Sequence, residues 1–235
     1  VTFKTKVSIV FDKTLGCLRS YSFKGKNMFN DDFGLRPLFW RAPTDNDYGN
    51  GMPSRNQAFK TSSREFDVKA DFDGESIVAE YTLASGNIFI VCYTLLEGGI
   101  LSVHSDFKGV KSAKPVDVPR IGFRLRLPAS ADSFTYLGRG PEENYSDRFS
   151  GTLIGKYSSS AAKEYVRYVR PQECGHHTDC EYLAIGGLTI RSDRFEFNAL
   201  RCSVEDLDSE EAVQRDYQWE NKGPLTENDL AKAKN

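Results

Sequence analysis

NIFIVCYTLLEGGILSVHSDF, residues 87–107, is the stretch whose reading decides the fold. Two apolar runs flank Glu97-Gly98-Gly99, and that pattern reads as an antiparallel hairpin. Outward from it the period of two persists. Phe66, Val68, Ala70 and Phe72 share one parity before a turn at Asp73-Gly74, and Ile77, Ala79, Tyr81 and Leu83 return. Ile121, Phe123, Leu125 and Leu127 read as another strand. EYLAIGGLTIRS, residues 181–192, is a further hairpin turning at Gly186-Gly187, and RFEFNALRCSV, residues 194–204, a further strand. At the start, Val1, Phe3, Val7, Ile9 and Phe11 alternate. About ten short strands separated by turn signals predict an all-β fold, a large antiparallel β-sandwich. One short C-terminal helix is predicted, with Thr226 as its N-cap and Leu230 and Ala233 on one face. No repeat, low-complexity block or linker divides the chain, so residues 1–235 read as a single domain.

Composition excludes several classes of function. Lys plus Arg is 31 against 33 Asp plus Glu, so the chain lacks the basic footprint of a nucleic-acid binder. No polybasic run or basic amphipathic helix suggests a membrane surface, and no apolar run approaches the ~20 residues that span a bilayer. The opening residues alternate like a strand and do not resemble a signal peptide. The compartment, cytoplasmic or periplasmic, stays open. Five scattered cysteines (Cys17, Cys92, Cys174, Cys180, Cys202) without CxxC spacing argue against zinc or a disulfide framework, and most read as small buried hydrophobes.

Two polar segments do not look like scaffold. The first is FWRAPTDNDYGNGMPSRN, residues 39–56. Pro43 pushes Ala42 into an extended conformation, Asp45, Asn46 and Asp47 favour turns, and Gly49, Gly51 and Pro53 keep the segment irregular. It therefore reads as a long non-helical loop. Its Asp and Asn side chains can bond hydroxyls, and Trp40 and Tyr48 offer flat apolar faces, a mixture that suits a sugar. A bland reading, turn-forming carboxylates and packing aromatics, stays open beside it. Calcium needs oxygen ligands at alternate positions, whereas these are consecutive.

The second segment, residues 136–185, contains GRGPEENYSDRFSG and later YVRYVRPQECGHHTDCEYL. Glu142 or Glu143 can pair with Arg148, as can Asp147. Glycosidases use two carboxylates, but no single pair here is specific. His176 and His177 would point to opposite faces of a strand, so they read as ordinary polar loop residues rather than joint ligands.

FWRAPTDNDYG together with GRGPEENYSDRFSG…GKY…YVRYVRPQECGHHTDCEYL closely resembles the C-terminal β-sandwich (small-chain) domain of glycoside hydrolase family two β-galactosidases. The resemblance implies the large sandwich, or supersandwich, also found in galactose mutarotases. It implies a parent enzyme whose (β/α)₈ barrel carries two catalytic glutamates and hydrolyses terminal β-D-galactosides with retention. The domain here would pack on that barrel and help shape the galactose pocket. Arg41, Asp45, Asn46, Asp47 and Gly49 fall on the family's pocket-rim loop, with Gly49 where that loop hinges. Glu142, Asn144, Arg148 and His177 are secondary candidates.

The same resemblance implies no catalytic residue, no cofactor and no metal in this domain, with Mg and Na belonging to the parent. The implied partners are the catalytic barrel, a β-galactoside substrate and further copies of the parent in a homo-oligomer. The upstream barrel and the last strands of the sandwich are expected to lie outside these 235 residues. The resemblance has departures: family members usually have Arg where Glu181 stands, and Asn or a similar residue where His176 stands. Two other readings remain: a carbohydrate-binding module, and a mutarotase-like epimerase using His177 with Glu142 or Glu173.

Overall fold

Where the alternation is strongest the chain is strand. The computed structural model describes residues 7–111 and 116–208. The expected helix at Thr226 and the alternation at Val1 and Phe3 lie outside them. The described strands are β1 (Val7–Asp12), β2 (Cys17–Phe23), β3 (Lys26–Asn27), β4 (Arg36–Leu38), β5 (Phe66–Phe72), β6 (Ser76–Leu83) and β7 (Ile88–Leu95). They continue with β8 (Leu101–Lys108), β9 (Gly122–Arg124), β10 (Ser133–Gly140), β11 (Leu153–Ser160), β12 (His176–Ile185) and β13 (Leu188–Asn198). Four short helices join them: α1 (Asp45–Gly49), α2 (Met52–Arg55), α3 (Gln57–Ser62) and α4 (Val204–Leu207). All strand pairings are antiparallel, and the fold is an all-β sandwich class.

No linker is visible in the composition, yet the chain clusters into two compact units. Among the described residues, one holds those up to Trp40 together with those from 51 to 128, the other Arg41–Asn50 together with those from 129 to 208. In the first unit the sheets run β1-β2-β3, β4-β9 and β5-β6-β7-β8. The hairpin at Glu97-Gly98-Gly99 forms as read, with Leu95 opposite Leu101. Alternation fixes which face is inward: Ala79, Tyr81, Val91 and Tyr93 are fully buried, and Tyr81 lies opposite Phe89 in the register. A one-residue slip would turn this whole set to solvent.

The buried tyrosines also bond across the sandwich. Tyr81 donates to the Gly16 carbonyl at 3.1 Å and Tyr93 to the Leu35 carbonyl at 3.3 Å. Phe39 meets Phe89 edge to face, with centroids 5.2 Å apart. The strand read through residues 121–127 is shorter than its pattern: only Gly122–Arg124 pair, with β4, and Ile121 is exposed.

In the second unit the sheet order is β11-β10-β12-β13. The Gly186-Gly187 hairpin forms, and β13 continues without a break to Asn198, so two strand readings merge into one. Phe134, Tyr136, Cys180 and Leu183 form the core, with Tyr157 and Phe197 packed on it. Gly138 is required by close approach: an added Cβ would stand 2.4 Å from Cys180 Sγ. No described helix is long and apolar enough to cross a membrane.

Candidate functional site

Residues 41–50 of the first polar segment meet the second segment in the second unit. The first is not the loop expected from its prolines and glycines: residues 45–49 form the one-turn helix α1. The reason is a capping box. Thr44 accepts from the Asp47 backbone N–H at 3.3 Å, while the Asp47 carboxylate accepts from the Thr44 N–H at 2.9 Å. Pro53 then sits in the first turn of α2, where a missing N–H costs nothing. Gly51 takes the left-handed conformation (φ +75°). Gly49 does not, and space around it is open.

Asp47 is buried beneath this turn. Arg41 grips it from two nitrogens, Nη1 at 2.5 Å and Nη2 at 2.9 Å, and Thr44 Oγ1 adds a bond at 3.0 Å. Burial by itself would raise the Asp47 carboxyl, but the bonds from Arg41 and Thr44 outweigh it and hold the group below its ordinary value. Arg41 and Asp47 therefore shape the turn from behind. Asp45, Asn46 and Gly49 are exposed, and Tyr48 is 42% exposed. The outward face is polar with one aromatic ring. Trp40, read as a second flat face, is instead buried, with the Lys60 ammonium 5.6 Å from its ring centre.

The second segment braces α1. The Glu173 N–H donates to the Ala42 carbonyl at 3.2 Å, and Ala42 packs with Cys174 and Leu207. Arg170 reaches Asp45 at 3.4 Å and lies 5.5 Å from the centre of the Tyr48 ring. Arg148 pairs with Glu143 at 2.8 Å, not with Glu142 or Asp147. Tyr168 also donates to Glu143, whose other oxygen takes the Gly175 N–H at 2.7 Å. Glu142 is exposed and contributes only its carbonyl, which accepts from Asn144.

Asn144 is fully buried and holds four partners. Its amide donates to the carbonyls of Arg139 and Glu142, and its oxygen accepts from the Thr178 N–H and hydroxyl at 2.9 and 2.6 Å. It clamps the turn after β10 onto β12. The histidines are not loop residues: both open β12 and both are buried. His177 sits against Glu164 at 2.8 Å and Tyr136 at 3.1 Å. Fully enclosed and engaged by Glu164, it cannot face a sugar with Glu142 or Glu173, which removes the epimerase arrangement. His176 lies between Asn198 Oδ1 and Glu196 and stacks on Tyr145 at 5.0 Å.

Among the described residues no group of three or more His, Cys, Asp or Glu side chains could hold a metal ion. All five cysteines are free, and burial pushes the thiols of Cys174, Cys180 and Cys202 up to about 12. A shallow cleft on β10, β12 and β13, lined by Leu137, Glu181, Tyr182, Arg191, Ser192 and Asp193, has its aromatic face covered by Arg191. Sequence reading missed Thr44, Glu164, Tyr168, Arg170 and Asn198. For Thr44 the T-x-x-D spacing was a usable signal; the others have none.

The scaffold is antiparallel β throughout its described strands, its Asp47, Glu143 and Glu164 carboxylates are engaged by its own donors, and it presents a braced polar turn. The β-galactosidase small chain family matches residues 4–231, and the chain belongs to it. It is 33% identical to a β-galactosidase of Priestia megaterium over 87% of this chain and 21% of that protein. It is 31% identical to one of Kluyveromyces lactis over 80% of this chain and 20% of that protein. With a Clostridium acetobutylicum β-galactosidase it shares 34% identity over 64% of this chain and 17% of that protein. The chain thus spans about a fifth of the length of the curated relatives it matches.

Proposed function

We propose that this chain works as the part of a β-galactosidase that packs beside a catalytic barrel and walls the galactose pocket. In this reading Asp45, Asn46 and Tyr48 stand at the rim, and Arg41 and Asp47 hold the rim in shape. The observation that carries it is the exposed face of α1: acceptors, an amide and a phenol ring on a turn locked from beneath by the partly buried Arg41 paired with the buried Asp47. Such a face matches the hydroxyl rim and C–H surface of a hexose.

Hydrolysis with retention needs two carboxyls ~5 Å apart on either side of the scissile bond. The buried acids Asp47, Glu164 and Glu173 are engaged by Arg41, His177 and Asn198, and the half-buried Glu143 by Arg148. The reacting pair, and the Mg and Na the enzyme would use, are assigned to the barrel, with a terminal β-D-galactoside as substrate and a homo-oligomer as the assembly. The test is an aryl β-galactoside assay. The purified chain should be silent and the polypeptide that includes the barrel active; turnover by the chain alone, surviving stringent purification, ends the proposal. A carbohydrate-binding module is the second reading, favoured by the same exposed face. Titration with galactose or lactose by calorimetry or NMR decides it.

A further inference from the structure

We infer that Arg170 is a positioning residue for the rim: it clamps the exposed face of α1 and so sets how tightly sugar is held. The inference rests on the reading just given. A helix of one turn has no stability of its own, because nucleation is unfavourable. α1 must therefore be held from outside at each end. Its first turn is held by the capping box and by Arg41 on Asp47. Its last turn has no basic residue to meet the exposed carbonyl end.

Arg170 adds a further hold from the other polar segment, on Asp45 in the first turn and on the Tyr48 ring towards the last. Asp45 and Tyr48 are three residues apart, so they are neighbours on one face of the turn. One guanidinium reaches both: Nε stands 3.4 Å from Asp45 Oδ1, and the group lies 5.5 Å from the Tyr48 ring centre. The planar ion is suited to this double role in a way an ammonium is not. Its backbone is fixed by the buried Pro171–Cys174 run, where the Glu173 N–H meets the Ala42 carbonyl. Asp45 and Arg170 side chains are 62% and 44% exposed, so the clamp is weak and screened by salt. That weakness is the point: the pair biases the rim without being needed for folding.

The test uses the whole native polypeptide that carries this chain, with Arg170→Ala, Arg170→Lys and Asp45→Asn. Removal of the guanidinium should raise KM about five-fold, the sum of one exposed ion pair and one exposed cation–π contact. kcat should hold. Lys should restore only part of the loss, and the KM of the unaltered enzyme should rise with ionic strength while that of R170A does not. In parallel, the Tyr48 and Asn50 amides, which donate to the Thr44 and Asn46 carbonyls, should exchange about five-fold faster in R170A. An unchanged KM with unchanged exchange overturns the inference and leaves the pocket-wall reading standing. A polypeptide with no β-galactosidase turnover overturns the pocket-wall reading, and hydrogen exchange then decides the clamp alone.

Discussion

Asp47→Asn keeps the size of a buried side chain and removes its charge, so it isolates what the carboxylate does for α1. The carboxylate accepts four bonds: two from Arg41, one from the Thr44 N–H and one from the Thr44 hydroxyl. An amide keeps one accepting oxygen and turns an NH₂ towards donors. Arg41 is 27% exposed, so water can partly rehydrate its freed charge, and the full ~3–5 kcal/mol of a broken buried pair is not reached. About 2 kcal/mol from the charge-assisted bonds and about 1 kcal/mol from the lost cap make α1 easier to open by about 3 kcal/mol. Exchange of the Tyr48 and Asn50 amides should then accelerate roughly a hundred-fold by NMR.

The pH arm has a definite sign. The folded carboxyl lies below its ordinary value, so its contribution is complete above an unfolded value of about 4 and is lost as pH falls through the lower folded value. The unaltered protein should lose amide protection on acidification, and D47N should not. Exchange within a factor of about three of the unaltered protein would refute the argument that this carboxylate holds the turn.

Asn144→Ala leaves the buried Thr178 N–H and hydroxyl and two half-buried carbonyls without their partner, and should cost about 3 kcal/mol in urea denaturation; a loss under about 1 kcal/mol would mean another group fills the gap. Gly138→Ala drives a methyl against Cys180 Sγ and to 3.0 Å from Cys180 Cα, so it should destabilise by about 1–3 kcal/mol, and adding Cys180→Ala should recover only part. The thiols of Cys174, Cys180 and Cys202 stay protonated in the fold to about pH 12, whereas unfolded thiols ionise from about 8.5, so stability should fall as pH rises through that window. Denaturation at pH 8 and pH 10 checks the slope, and replacing all three by Ala should flatten it.

The hairpins were legible because alternation and glycine turns are local signals: Gly186-Gly187 and Glu97-Gly98-Gly99 both reverse the chain where read. α1 was missed because Pro43, Gly49 and Gly51 dominate the segment, although Thr44 and Asp47 carry a capping box three residues apart. The burial of the site's polar groups was not legible at all. Asn144 meets Thr178 across 34 residues, and His177 meets Glu164 across 13. Nothing in either neighbourhood names its partner. Hence His177 read as a loop residue, Trp40 as an exposed face and Glu142 as a carboxylate on a par with Glu143, when tertiary contacts decide all three otherwise.

Those contacts also show where the acids of this chain are spent. A nucleophile or acid catalyst must leave at least one oxygen free for substrate. Glu143 gives one oxygen to Arg148 and Tyr168 and the other to Gly175. Glu164 divides its two between Ser159 and His177, and Asp179 between Arg139 and Arg194. Each is consumed in joining strands and turns that the sequence keeps far apart. Asp45 differs: it is exposed, it is held by one weak pair, and its neighbours Asn46 and Tyr48 face the same solvent.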